Sequence, residues 1–462
     1  MEKNLTTGSV FKTLLYFSLP YLLAYFLQTL YGMADLFIIG QYNGVESTTA
    51  VSIGSQVMHM LTVMIVGLAM GATVMIGQAV GAGKKEQASL AIGNTITLFM
   101  ILSVIVTAVL LIAVRSIVTV MSTPAEAVSG TVAYLTVCFI GVPFITAYNI
   151  ISSIFRGMGD SKSPMYFIAV ACVANIALDY LLIGGLGLGP VGAALGTTLS
   201  QTISVIVSLV VILKKKTGIT LTATAFKPRR ETMGGLLKIG IPIAMQDGFI
   251  QIAFIVITII ANRRGLNDAA AVGIVEKIIG ILFLVPSSML QSVSALSAQN
   301  VGAGKHDRAR RTLFYASAMS VLWGLAAVIL MQIDAETFIG LFADNAEVIR
   351  LGGQYMRGYV WDSALAGIHF CFSGYFCAYG LSGISFIHNS LSIVCVRIPV
   401  AYFASKYFTD TLFPMGLAST AGSALSVVIC VGVFVWLERR RRNLSFPIFH
   451  VNKKCKNTGS LL

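Results

Sequence analysis

Five carboxylates stand inside long apolar stretches of this sequence: Asp35, Asp179, Asp247, Glu276 and Asp362. An ionised side chain among apolar neighbours costs roughly 2.5 kcal/mol or more unless it meets water, a partner or a bound ion, so each position is a candidate for chemistry. Asp35 and Asp179 both sit four or five residues from the distal ends of their stretches, which is about 6 to 8 Å deep at about 1.5 Å per residue of helix. Asn175 falls four residues before Asp179 and so shares its helical face. Thr197, in the next stretch, reaches a similar depth. Two carboxylates, an amide and a hydroxyl at one level form an oxygen-rich group able to hold a hard cation such as Na⁺. Paired carboxylates away from water can instead share a proton. The alternative, two acids that merely touch water at the interface, leaves their common depth and the Asn-x-x-x-Asp spacing unexplained.

The other three acids divide by depth. Glu276, with Lys277 beside it, lies toward the outer part of its stretch, whereas Asp247 and Asp362 lie near the middle of theirs, where a cationic substrate would need countercharge. Each reads either as a substrate contact or as a helix–helix bond. Pro20 and Pro242 fall in the inner parts of two stretches, where a missing amide donor weakens the helix and favours a bend. The pairs Gly67/Gly71 and Gly192/Gly196 read as close helix packing rather than chemistry.

Several other chemistries find no support. The five His form no cluster, no Walker loop appears, and the seven Cys lack metal-ligand spacing; all but Cys455 lie in predicted helices as space-filling thiols. Gly187-x-Gly189-x-x-Gly192 matches a dinucleotide fingerprint in letters only, since no strand precedes it and no acidic residue follows at the required distance. An enzyme or an ATP-driven pump is therefore not expected, nor is any cofactor, and the only metal expected is Na⁺ at the coupling group.

The elements that carry these residues follow from composition. The 462-residue chain is 56% apolar and only 11% charged, against about 25% charged in soluble domains. Apolar runs of about twenty residues recur throughout, each long enough to cross a bilayer. The spans read as 14–39, 51–76, 91–114, 130–155, 165–184, 191–213, 236–261, 270–298, 312–333, 352–378, 386–405 and 415–437. They are about twice the length a membrane strand needs and lack its alternation, so the fold class is an all-α polytopic membrane protein of twelve transmembrane helices. The first run is too long for the core of a cleavable signal and is expected to stay in the mature protein.

The net charge of +13 gains meaning from where it falls. Of 32 Lys and Arg, 24 lie in the termini, the even-numbered loops and their immediate flank at Lys238, 5 in the odd-numbered loops and 3 inside spans. By the positive-inside rule both termini are expected in the cytoplasm. The densest run, Lys214-Lys215-Lys216 with Lys227, Arg229 and Arg230, then lies against anionic headgroups, and no nucleic-acid partner is expected.

The chain also repeats itself. Gln78-Ala-Val-Gly-Ala-Gly-Lys84 returns as Gln299-Asn-Val-Gly-Ala-Gly-Lys305 at an offset of 221, which also relates Ala50-Val51 to Ala271-Val272 and Gly159-Asp-Ser161 to Gly380-Leu-Ser382. Six spans per half is an even number, so the repeat is parallel, with a pseudo-two-fold axis along the membrane normal. The expected domains are an N-terminal six-helix lobe (1–213), a basic linker (214–235), a C-terminal lobe (236–437) and a basic tail (438–462). A cleft between two such lobes suits alternating access. In the second lobe the counterpart of Asp179 is Val400 or Ala401, so the acid pair is not repeated.

Ser18-Leu-Pro20, Tyr31-Gly-Met-Ala-Asp35, Gln78-x-Val-Gly-Ala-Gly, Phe155-Arg156-Gly157-x-Gly159-Asp160, Asn175-x-x-x-Asp179, Gly189-Pro190-x-Gly192-Ala193-Ala194 and Val301-Gly-Ala-Gly304 occur in this order. With them the sequence resembles the multidrug and toxic compound extrusion (MATE) transporters, DinF-like branch, over essentially its whole length. The resemblance implies a V-shaped pair of lobes in a bacterial inner membrane, acting as a monomer. It further implies export of organic cations or other xenobiotics in antiport with Na⁺ or H⁺, the ion held at Asp35, Asn175, Asp179 and Thr197. The NorM-like branch has a Glu where this chain has Ile250 and Gln251, which argues against that branch's second-lobe ion site. A flippase for a lipid-linked precursor is the alternative, weakened by a span inventory of only three cations besides the flanking Lys238, namely Lys277, Arg357 and Arg397.

Overall fold

Inside a bilayer no water pairs with exposed amides, so a spanning chain must satisfy its backbone within itself, and single runs of this length do so as helices. The computed structural model describes residues 4–214 and 221–443 and contains no strand among them; Lys215, Lys216, Cys455 and the tail beyond 443 lie outside the described residues. The first six rods are α1 (Val10–Tyr42), α2 (Val45–Gly81), α3 (Lys85–Val120), α4 (Ala125–Ile140 with Val142–Gly157), α5 (Lys162–Gly185) and α6 (Gly189–Lys214). The second six are α7 (Arg230–Asn262), α8 (Leu266–Gly302), α9 (His306–Gly340), α10 (Ala346–Tyr359 with Trp361–Ala378), α11 (Ser382–Tyr407) and α12 (Phe413–Asn443). Ten rods are long and apolar enough to cross a membrane alone, and α4, bent by 49°, makes an eleventh. The remaining rod, α10, carries Glu347, Arg350, Arg357 and Asp362 and is less apolar.

The repeat is physical as well as textual. Gln78 Nε2 donates to the Ala378 carbonyl at 2.8 Å, and Gln299 Nε2 donates to the Gly157 carbonyl at 2.9 Å. Donors and acceptors are both related by the offset of 221, so each lobe makes the same bond to the other across a local two-fold axis. Gly81 packs on the Gln299 backbone and Gly302 on the Gln78 backbone, and a Cβ at either would collide with it.

The lobes meet through α1–α8, α1–α9, α2–α7, α2–α8, α2–α10, α3–α7 and α4–α8. Along α2 these contacts run from Met64, facing Gly248, down to Gly81; at Gly54 the same helix packs on Tyr134 of its own lobe. The two lobes thus form a V, closed on the side of the chain ends. There, Arg308 donates to the carbonyls of Gly8, Thr7 and Leu5 at 2.7, 3.0 and 3.3 Å, tying the lead-in of α1 to the first turn of α9 in the second lobe. The lead-in of α7 is tied to the first lobe in turn, with Asn94 Nδ2 donating to the Ala225 carbonyl at 3.0 Å and the Arg229 amide donating to Asn94 Oδ1 at 2.7 Å. Helices α1 and α7 run through Pro20 and Pro242 without interruption. Of the six described Cys, five are buried as expected and Cys395 is exposed.

Candidate functional site

Three rods of the first lobe build the acidic cluster. Asp35 comes from α1, Asn175 and Asp179 from α5, and Thr197 from α6, so residues up to 162 positions apart converge. Asn175 and Asp179 are fully buried and Asp35 is 5% exposed. Thr197 Oγ1 donates to Asp35 Oδ2 at 3.2 Å. Asp179 and Asn175 face Asp35 across the cluster. Asp35 Oδ1, both carboxyl oxygens of Asp179 and both polar atoms of Asn175 are buried with no partner. Buried polar atoms are rarely left so, because each forfeits its hydration.

Local backbone explains how Asp179 reaches this place. It is the last α-helical residue of α5 before a π-helical turn, Tyr180–Gly185, and such turns redirect side chains at functional positions. Across from it, Gly196 on α6 leaves the room its carboxyl occupies, since a Cβ there would overlap Asp179 Oδ1 and lie 3.7 Å from Asn175 Nδ2. Gly196 therefore shapes the cluster, a role beyond the packing expected from its spacing. Among the described residues no three His, Cys, Asp or Glu side chains converge. The donor set of two carboxylates, an amide and a hydroxyl suits a hard monovalent cation or a proton better than a transition metal.

The other acids are dispersed through the second lobe. Asp247, partly exposed, points at the vertex of the V, and a Cβ on Gly67 of α2 would lie 2.8 Å from its Oδ2. Glu276, also partly exposed, accepts from Thr258 Oγ1 at 3.3 Å. Asp362 is only 1% exposed and lies 3.9 Å from Arg397 Nη2, sealed within its lobe rather than facing the cleft. The sequence shows His369 and His388 as unrelated, yet the fold brings their rings to 5.7 Å between centroids, each bonded to a serine, Ser423 at 3.3 Å and Ser373 at 3.0 Å. Only tertiary packing of α10 on α11 could reveal that pair, because nineteen positions apart on different rods carries no periodic signal.

Fold and cluster together define a two-lobed polytopic membrane transporter. The MatE family model matches residues 20–181 and 242–403, one match in each lobe. The chain belongs to this family, as the motifs from Ser18 to Gly304 imply. It is 26% identical to the probable multidrug resistance protein YoeA of Bacillus subtilis (strain 168), over 94% of this chain and 95% of that one. It is 24% identical to the multidrug export protein MepA of Staphylococcus saprophyticus, over 91% and 94%. Its fold is similar to that of a MATE crystallised in complex with MaL6, with a TM-score of 0.88 at 24% identity over 96% of this chain and 99% of the other.

Proposed function

We propose that this chain is a multidrug efflux transporter of the plasma membrane, exporting organic cations and related xenobiotics in exchange for inward Na⁺ or H⁺. The observation that carries this reading is the buried, unpartnered carboxyl pair Asp35 and Asp179 with Asn175 and Thr197. A cation entering between the two acids changes the net charge of a low-dielectric site, and that change is worth more in one conformation of the lobes than in the other. Helix α1 is the mechanical link, with Asp35 toward one end, Pro20 toward the other, and the second lobe packed against it. Asp247 at the vertex and Glu276 above it supply countercharge for a cationic substrate in the cleft. The relatives' names, multidrug resistance and multidrug export, favour a broad range of substrates.

The 24-to-5 distribution of basic residues supports cytoplasmic termini, and the V then opens outward. With a Cys at Lys227, an impermeant maleimide added outside intact cells is expected not to react; labelling there would reverse the orientation. The function itself is tested by ethidium efflux from a pump-deficient bacterium, with and without Na⁺ at fixed pH. Efflux absent under both Na⁺ and H⁺ gradients in proteoliposomes would overturn it.

A further inference from the structure

Both lobes bury carboxylates, but only the second brings its own cation to them. Arg397 is 8% exposed and closes a π-helical turn, Ile393–Arg397, in α11. Its Nη2 donates to the Tyr359 hydroxyl at 2.6 Å and lies 3.9 Å from Asp362 Oδ2, while its Nε donates to Ser419 Oγ at 3.0 Å. The guanidinium lies over the rings of Phe254 and Tyr359, 5.0 and 5.7 Å from their centroids. One acid from α10 thus meets one guanidinium from α11, and aromatic faces and hydroxyls replace the rest of its hydration.

The repeat gives this arrangement its meaning. By the offset of 221, Arg397 corresponds to Ile176, three residues and so about one helical turn before Asp179. Both rods carry a π-helical turn next to the charged residue, Tyr180–Gly185 after Asp179 and Ile393–Arg397 up to Arg397. The same rod therefore presents an acid in one lobe and a base in the other.

We infer that Arg397 is a tethered counter-cation that neutralises Asp362, supplying in the second lobe the charge a mobile ion supplies in the first and so confining exchangeable cation binding to Asp35 and Asp179. Arg397 is a positioning residue, setting how many ions the transporter exchanges. The inference rests on the first-lobe reading above, and its test separates the two.

Purified full-length variants are compared with wild type by two counts, ²²Na⁺ bound at pH 8.5 and protons taken up when the pH is stepped from 8.5 to 5.5. Arg397→Gln frees Asp362 and is expected to bind one cation more per protein, doubling the exchangeable count. The gain should vanish in Arg397→Gln/Asp362→Asn. Arg397→Lys and Asp362→Asn alone should each leave the count unchanged. A monodisperse Arg397→Gln protein with an unchanged count overturns the inference. If Arg397→Gln does not fold, Asp362→Asn decides, because loss of a cation there shows Asp362 to be an exchange site itself. If Asp35→Asn/Asp179→Asn binds as wild type does, the first-lobe reading fails, while the Arg397 comparison, made against wild type, still stands.

Discussion

The two lobes descend from one pattern and spend their charge differently. In the first, Asp35 and Asp179 are buried with three of their four carboxyl oxygens unpartnered. In the second, Asp362 has Arg397 beside it, and the rod equivalent to the one bearing Asp179 carries apolar Val400 and Ala401 in its place. A buried acid with a fixed partner is a strut, since removing either member strands the other. One whose complement must come from solution responds to ion concentration. The comparison teaches that a duplicated scaffold can keep its symmetry where the lobes touch and lose it in how its buried acids are partnered.

The largest effect should come from the first lobe. Asp35→Asn and Asp179→Asn are each expected to lower ion-driven drug transport about 100-fold or more in proteoliposomes at matched protein amounts, in line with the loss of a fully desolvated charge interaction of several kcal/mol. Near wild-type rates under both Na⁺ and H⁺ gradients would remove the distinction between the lobes. Gly196→Ala comes next. Its Cβ has to displace the Asp179 carboxyl, and a core over-packed by one methyl typically costs about 1 to 3 kcal/mol, so transport should fall roughly tenfold or more. The same added methyl at Gly273 of the second lobe, where a Cβ meets nothing within 4 Å, should leave rates unchanged. Asn175→Ala removes a neutral ligand worth about 1 kcal/mol and should raise the ion concentration for half-maximal transport roughly fivefold. Ala401→Ser, in the second-lobe counterpart of the acid pair, should do little.

The sequence made the scaffold legible because hydrocarbon thickness dictates run length, and twelve apolar runs map one to one onto twelve rods. The first-lobe cluster was legible too, since depth along a helix and the i, i+4 face are one-dimensional quantities. What the chain alone could not disclose was every relation set by packing between rods. Arg397 was visible as an intramembrane cation, but its service to Asp362 required α10, α11 and α12 to close around it. Gly196 read as packing because a glycine opposite a glycine and one opposite a carboxylate look alike in letters. The π-helical turns beside Asp179 and Arg397 leave no residue signature either, as one inserted residue in a helix changes no hydrophobic period enough to be seen.

A modest expected effect tests the symmetric half of the comparison, where the lobes touch. Gln78 and Gln299 make equivalent bonds of 2.8 and 2.9 Å across the axis, each to a carbonyl at the end of a rod in the other lobe. Gln78→Leu should cost the closed side about 1 kcal/mol for one hydrogen bond, or roughly a fivefold shift in the ratio of closed to open, and Gln299→Leu somewhat more, because Gln299 Oε1 also accepts from the Leu5 amide at 3.3 Å. Spin labels at Glu86 and Asp307, exposed positions that the offset of 221 relates, report the separation of the two lobes on the chain-end side by pulsed electron resonance. Both variants should enlarge the long-distance population, Gln299→Leu the more, and the double variant should enlarge it further by about the product of the two factors, because the bonds have no atom in common. A shift in one variant and none in the other would mean that closure rests on a single lobe.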